Sequence, residues 1–422
     1  MTPLASTIRQ PTDYTATKHS AARTEHYVFN QLIPYIGNKR KLLGLIDQAI
    51  PSSARGYGKT FLDLFAGSGV VSRYAKSVGY QVISNDWEPY ARIINGCFIA
   101  TNRPPPFRKL GGYAGALATL NAMRPRSDWV TKHLCPRSDT RFDVRRDRMF
   151  YMRKNGRRID AIREAILNWR ESELISEIEE HCLLAPLLYQ SCYNSNTSGV
   201  FKAFHNGWGG KTGTALYRIA GDLVLSPAVL YDNGLRNKVY CEDAQAVARR
   251  LSRSALDIAY LDPPYNQHPY GSNYHVLNSI ALWDKPIVGP AITHGNKSAI
   301  RTDWRTKRRS AYNHAREASQ AYTRLLDTLN ARFILTSYST DGSIPLDELL
   351  SANAHRGNTT VVMRGYKRYR VSAQRFSDKP MNVEFIVVTD TSRKPRTSAE
   401  ALYRAIKQRE RQVLLSHPER TP

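Results

Sequence analysis

The sequence predicts an α/β protein with a doubly wound, mostly parallel sheet, interrupted by an inserted and mainly helical domain. Three observations predict it. A buried strand, a tight glycine turn and an amphipathic helix follow one another between residues 61 and 78. Acidic residues close four strand-like segments. From about Thr101 to Asn237 the alternation of strand and helix patterns stops, and after Asn237 it resumes.

In chain order, the first 26 residues are polar, mixed in charge and without periodicity, and are expected to be a flexible leader, with the fold starting near Tyr27. Between Pro34 and Ile50 a turn at Gly37 leads into apolar residues at helical spacing, which Pro51 stops. FLDLF at 61–65 reads as a strand, AGSG at 66–69 as the turn, and Val70 to Val78 as the helix. YQVIS then forms a second strand ending on Asn85 and Asp86. The insertion, 101–237, carries Pro104, Pro105 and Pro106, arginine-rich helical stretches, and a glycine and aromatic loop from Asn194 to Gly213. Strand patterns return at 238–241, 257–261, 332–339, 359–366 and 383–390, the last two as an antiparallel hairpin at the sheet edge. Residues 27–100 and 238–390 would thus form one catalytic domain. The basic tail, 391–422, is expected to be helical from Ser398 to about Leu415.

With 422 residues and 41% hydrophobic composition the chain can bury a core. No basic head with an apolar run and no stretch of membrane-spanning length is present, so a cytoplasmic protein is expected. Cys97, Cys135, Cys182, Cys192 and Cys241 are odd in number and lack a CxxC pair, which argues against a disulfide framework and against a metal site. A formal net charge of +25 exceeds what solubility needs and calls for a polyanionic partner, with nucleic acid ahead of an anionic membrane surface.

Asp63, Asp86, Asp243 and Asp262 stand at the four strand ends, where an open parallel sheet binds its ligands. Any one alone reads as a helix cap or turn former; four in register argue for a shared site. Asp86 falls about 20 residues after the glycine turn, where an acid accepts hydrogen bonds from a ribose diol. AGSG departs from the dinucleotide pattern GxGxxG, whose third glycine would stand at Ser72, and Asp63 beside the turn would repel a pyrophosphate. A ligand with a ribose and cationic groups but no phosphate fits better. S-adenosylmethionine is such a ligand; nicotinamide and flavin nucleotides are the alternatives.

The tetrapeptide Asp262, Pro263, Pro264, Tyr265 is more specific, since a fixed sequence of this composition arises by chance in well under about one in a hundred chains of this length. Two prolines could simply end a strand. The chemistry offers a stronger reason. Adenine's amino lone pair is delocalised into the ring, so an enzyme that alkylates it must hold both amino hydrogens while the nitrogen pyramidalises. The Asp262 carboxylate and the Pro263 carbonyl supply two acceptors on a backbone stiffened by Pro264, and Tyr265 can stack on a base taken out of the duplex. Tyr366 and Tyr369 are the next aromatics for that task.

Taken together these segments resemble the Dam-type (alpha arrangement) adenine-N6 DNA methyltransferases, in which a target-recognition domain is inserted before the catalytic motif. YIGNKRKLL at 35–43 is similar to the family's first cofactor motif, FLDLFAGSGVV at 61–71 to its glycine loop, and ND at 85–86 to its ribose acid. CED at 241–243 resembles the segment that meets the cofactor's adenine. DPPYNQHPYGSNYHVLNSIALWD at 262–284 is similar to the catalytic motif and its following helix, and ILTSYSTDG and GYKRY to later segments. The resemblance runs from Tyr35 to about Thr389, while most of the insertion is unmatched.

That resemblance implies an S-adenosylmethionine-dependent methyltransferase sheet and a site-specific enzyme on duplex DNA. A restriction-modification system would add a cognate endonuclease as a separate chain. It implies a cofactor site from Tyr35, Gly37, Lys39, Asp63, Phe65, Gly67, Gly69, Asp86 and Asp243. Tyr35 and Phe65 read equally well as core residues, and Lys39 as a solvated helix charge. Three basic stretches interleaved with aromatics compete for DNA phosphates: 145–158, 196–213 and 301–309. An RNA base methyltransferase is the nearest rival reading. Cytosine-N4 transfer is disfavoured because that group usually carries Ser in place of Asp262. An inactive DNA-binding scaffold is opposed by the intact tetrapeptide.

Overall fold

The computed structural model describes residues 18–265, 267, 269–293, 295–301, 303–367 and 381–416. Seven strands occur among them: β1 (Thr60–Asp63), β2 (Gln81–Asn85), β3 (Lys238–Tyr240), β4 (Leu256–Leu261), β5 (Ala331–Ser339), β6 (Asn358–Lys367) and β7 (Met381–Asp390). They form one sheet in the order β3-β2-β1-β4-β5-β7-β6. The first five are parallel, and β7 pairs antiparallel with both β5 and β6.

Successive side chains on a strand point to opposite faces, so a sheet covered on both sides needs apolar residues at every position. The register satisfies this. Phe61 lies opposite Val82 and Ile258, and Leu62 opposite Ile83 and Ala259. Phe61, Val82, Ile258 and Phe333 join one core with helices Leu43–Ala49, Val70–Ser77, Pro89–Asn95 and His275–Leu282. Leu62, Ile83, Ala259 and Ile334 join the other with helices Ala244–Leu251, Ala315–Thr328, Leu346–Arg356 and Ala399–Leu415. Each large apolar side chain so buried contributes roughly 1.5–3 kcal/mol relative to exposure.

Residues 101–237 hold five α-helices: Gly112–Ala122, Trp129–Leu134, Arg153–Glu171, Glu177–Tyr193 and Leu216–Ala220. Their apolar side chains, among them Leu117, Val130, Ile162 and Leu184, belong to the same core as Phe61. The join is also polar. Buried Arg163 donates to the carbonyls of Ile280 (2.8 Å) and Ala281 (3.2 Å), satisfying the end of helix His275–Leu282, which follows the Asp262 to Tyr265 tetrapeptide.

Two details differ from the sequence expectation. Helix Lys18–Phe29 occupies the second half of the expected leader, anchored by Tyr27, which is buried and whose hydroxyl donates to Phe98 O at 2.7 Å; residues 1–17 lie outside the described residues. A single aromatic anchor leaves no periodic signature. A 3-10 turn, Lys39–Leu42, precedes helix Leu43–Ala49 and aims Lys39 inward. As expected, the antiparallel hairpin of β6 and β7 lies at the sheet edge, and its inner strand is β7. Its run from Val383 to Val388 is buried between two neighbours, whereas alternation alone cannot tell which hairpin strand is inserted. Among the described residues no helix is long and apolar enough to cross a membrane.

Candidate active site

Strand β1 ends at Asp63, and the chain turns at once through Gly67 (φ 51°) and Gly69 (φ 78°) into helix Val70–Ser77. Both positions need glycine for space as well as for backbone angle: a Cβ on Gly67 would lie 2.6 Å from the Tyr35 ring, and one on Gly69 2.3 Å from Asn95 Oδ1. Asp86, just past β2, fastens the turn, since its Oδ2 accepts from Gly67 N (2.8 Å) and its Oδ1 from Glu88 N (2.9 Å). Ser72, where a dinucleotide-binding loop would have its third glycine, donates to Asp63 Oδ2 at 2.7 Å. The other oxygen, Oδ1, is buried without a hydrogen bond. Burial pushes Asp63 up to about 7 against the Ser72 hydrogen bond, and Asp86 up to about 6 against its backbone hydrogen bonds.

Above the turn a cleft with about 1000 Å³ of empty space opens at the carboxyl ends of β1 to β4. Of the residues expected at the cofactor site, Tyr35, Gly37, Lys39, Phe65, Asp86 and Asp243 line it, as does the whole tetrapeptide Asp262 to Tyr265. Asp63, Gly67 and Gly69 lie beneath and shape it. The Tyr35 ring is stacked on Tyr270 and on Tyr274, at 5.2 and 5.0 Å between centroids, and Phe65 packs edge-on against Tyr312 at 5.4 Å. These aromatics are therefore both core and wall. Asp243 also has two tasks, because it caps helix Ala244–Leu251 by accepting from Gln245 N at 3.0 Å.

At the tetrapeptide, Asp262 Oδ1 lies 3.1 Å from Lys39 Nζ without a hydrogen bond of good geometry. The Lys39 ammonium donates instead to the Tyr265 hydroxyl, sits 4.5 Å from that ring's centroid, and has Glu384 Oε2 at 4.0 Å. Lys39 is only 4% exposed, so it is not a solvated helix charge. Burial holds the Asp262 carboxyl above the ordinary carboxylate range, with Lys39 and Tyr265 opposing. Tyr265 packs edge-on against Tyr338 at 4.8 Å, while its carbonyl accepts from Ser343 N and Oγ. The tyrosine hydroxyl thus has a partner that the sequence did not suggest. Tyr369 lies outside the described residues, and Tyr366 falls on β6.

Several lining residues were invisible to motif reading. Glu88 accepts from Asn278 Nδ2 at 2.5 Å, and burial pushes it up to about 7. Its place two residues after Asp86 was the available signal. Arg308 donates to Trp87 O at 2.7 Å with its guanidinium 4.4 Å from the Trp304 ring centroid. Arg308 and Tyr312 come from a distant connection, and Glu384, which lies beside Lys39 and not in the lining itself, from an unremarkable strand, so nothing local marks them. Among the described residues no group of histidine, cysteine and acidic side chains could hold a metal ion, and the five cysteines are unpaired.

Comparison with known proteins gives the family. The model of the D12 class N6 adenine-specific DNA methyltransferases matches residues 35–325. The chain belongs to that family. Relatives include the Type II methyltransferase M.NlaIII of Neisseria lactamica, 31% identical over 340 residues that cover 80% of this chain and 92% of that protein. M.CviAII of Paramecium bursaria Chlorella virus 1 is 31% identical over 339 residues, 80% of this chain and 93% of that one. M.FokI of Planomicrobium okeanokoites is 30% identical over 345 residues, 82% of this chain but 50% of its own length. This methyltransferase therefore spans nearly the full length of some curated relatives and about half of others.

The structure also distinguishes two of the methyltransferase's three basic stretches. In 145–158, Arg148 is 1% exposed and donates to five backbone carbonyls. Lys154 pairs with Asp222, and Arg158 donates to Met123 O and Asn121 O. Arg148, Arg153 and Arg158 thus hold the fold, while Arg145, Arg146 and Arg157 are exposed. The loop 196–213, by contrast, leaves Lys202 and Lys211 exposed, and its Phe201 N donates to Asn273 O beside the catalytic motif.

Proposed function

We propose that this D12-class methyltransferase transfers the methyl group of S-adenosylmethionine to the amino nitrogen of an adenine swung out of duplex DNA, with Asp262 and Pro263 at the reacting nitrogen. The observation that carries this reading is the buried Asp262 Oδ1, an acceptor without a hydrogen bond at the mouth of a cleft walled by acids. A cationic, diol-bearing ligand fits those acids, and the unpartnered Asp63 Oδ1 beneath the glycine turn fits an ammonium group better than a phosphate. When bound, S-adenosylmethionine supplies a methyl carbon made electrophilic by its sulfonium.

The chain's own residues do the rest. Asp86 and Glu88 face the ribose side, and Tyr35 and Phe65 form the apolar walls. Asp262 and the Pro263 carbonyl hold the two amino hydrogens as the nitrogen pyramidalises, fixed acceptors that need no reorganisation. Asp262 then takes the proton that the nitrogen loses and returns it to solvent. Tyr265 closes the pocket in which the base stacks. Residues 101–237 are the target-recognition part, built onto the catalytic core, with the 196–213 loop on the DNA side. The enzyme works in the cytoplasm on chromosomal or invading DNA, in a restriction-modification setting with any endonuclease as a separate chain.

The test is to incubate the protein with methyl-labelled S-adenosylmethionine and either duplex DNA or ribosomal RNA, then digest to nucleosides. Label in N6-methyldeoxyadenosine is expected. Label in RNA alone, or in a cytosine derivative, would overturn the proposal.

A further inference from the structure

Glu384 lies on β7, outside every motif. Its side chain is 11% exposed, and Oε2 has no hydrogen-bond partner. The cation beside it is Lys39, whose ammonium is 4.0 Å away and also 3.1 Å from Asp262 Oδ1. Two carboxylates, Asp262 half-buried and Glu384 buried, thus flank one ammonium, and the oxygen each turns toward it has no hydrogen bond of good geometry. Burying an acid without such a bond costs stability, which makes the arrangement costly unless its charge is used.

We propose that Glu384 is a positioning residue of the methyl transfer: a second carboxylate on Lys39 that leaves the Lys39, Asp262 and Glu384 cluster one negative charge in excess where the adenine amino nitrogen turns positive. The inference rests on the function proposed above. As the nitrogen commits its lone pair to the new carbon bond, the old bonding pair stays with sulfur. Positive charge then builds on nitrogen until a proton leaves through Asp262 to solvent. Lys39 and Asp262 alone would present a neutral pair. With Glu384 the cluster is net negative, and a fixed charge in a water-poor site acts without reorganisation.

The groups facing Glu384 are consistent with this. Lys39 comes from the 3-10 turn, Asp262 and Tyr260 from β4 and its end, Tyr265 from the loop beyond, and Asp341 from the turn after β5. Its cross-strand neighbour Arg364 has one guanidinium nitrogen on Lys41 O. Burial, opposed by Lys39 and reinforced by Asp262 and Asp341, holds the Glu384 carboxyl above its ordinary value of 4.5.

Two full-chain variants test the proposal. Glu384→Gln keeps the shape and removes the charge; turnover on duplex DNA should fall at least about tenfold, while KM for S-adenosylmethionine changes less than about twofold. Glu384→Asp should recover part of the loss. A second readout needs no substrate. Because the folded-state pKa is raised, the stability Glu384 contributes is present below its ordinary pKa and lost as pH rises through the folded one. Ligand-free Glu384→Gln should therefore gain stability relative to wild type on going from about pH 5 to about pH 8. Turnover within about threefold of wild type would overturn the inference, as would a variant that loses stability relative to wild type over that range, the mark of a merely structural glutamate. Methylation of adenine by the wild type tests the proposed function separately.

Discussion

At the scale of single residues, the cleft depends on carboxylates whose burial is resisted by only a few contacts. Asp262 is the sharpest case. Asp262→Ala should lower methyl transfer at least about a hundredfold, the scale for one preorganised electrostatic partner, with cofactor affinity changed far less. Near-normal turnover would remove Asp262 from the chemistry. Asp63, at about 7, and Asp86, at about 6, give a pH signature. Both are raised, so the stability each contributes is present below its unfolded pKa and lost as pH rises through 6 to 7. A cationic ligand needs them ionised and should bind more tightly over the same range, by roughly tenfold per pH unit for each linked proton. Calorimetric titration with S-adenosylmethionine at several pH values checks this. A flat affinity profile would mean that neither acid meets the ligand's charge.

At the scale of elements, the insertion's long helix Arg153–Glu171 uses its basic residues to hold the fold. Arg158 donates at 2.8 Å to Met123 O and at 3.0 Å to Asn121 O, closing the end of helix Gly112–Ala122. Basic composition alone would place it on DNA. Arg158→Ala is instead expected to cost about 1–2 kcal/mol in denaturant unfolding, for two hydrogen bonds to a charged donor. The salt dependence of DNA binding should stay as in wild type. A flattened salt dependence with unaltered stability would return Arg158 to the DNA surface.

At the scale of the whole molecule, a net charge of +25 sets the long-range behaviour. With six or so phosphates neutralised, the affinity for nonspecific duplex DNA should fall with salt at a log-log slope of magnitude about 5. Lys202→Ala and Lys211→Ala, on the exposed 196–213 loop, should each reduce that slope by about 1. A slope near zero in fluorescence titrations would mean that the basic surface faces another partner. The same scale explains why one core serves both parts of the chain: Arg163 and the apolar faces of the insertion's helices pack on the helix that follows the catalytic motif.

The amino-acid sequence by itself determined the parallel strands joined by helices, the glycine turn, the strand-end acids and the tetrapeptide, because each depends on local rules: short apolar runs bounded by turns, positive φ at Gly67 and Gly69, and residues adjacent in the chain. It could not rank the three basic stretches, since whether an arginine meets solvent or a carbonyl depends on what packs against it. Glu384 reaches Lys39 across 345 residues of chain because β7 enters the sheet between β5 and β6. Arg308 reaches Trp87 O by folding back a connection of more than two hundred residues. Such pairings carry no periodicity and no spacing. Only the packing of the sheet and its helices decides which charges share the low-dielectric space of the cleft.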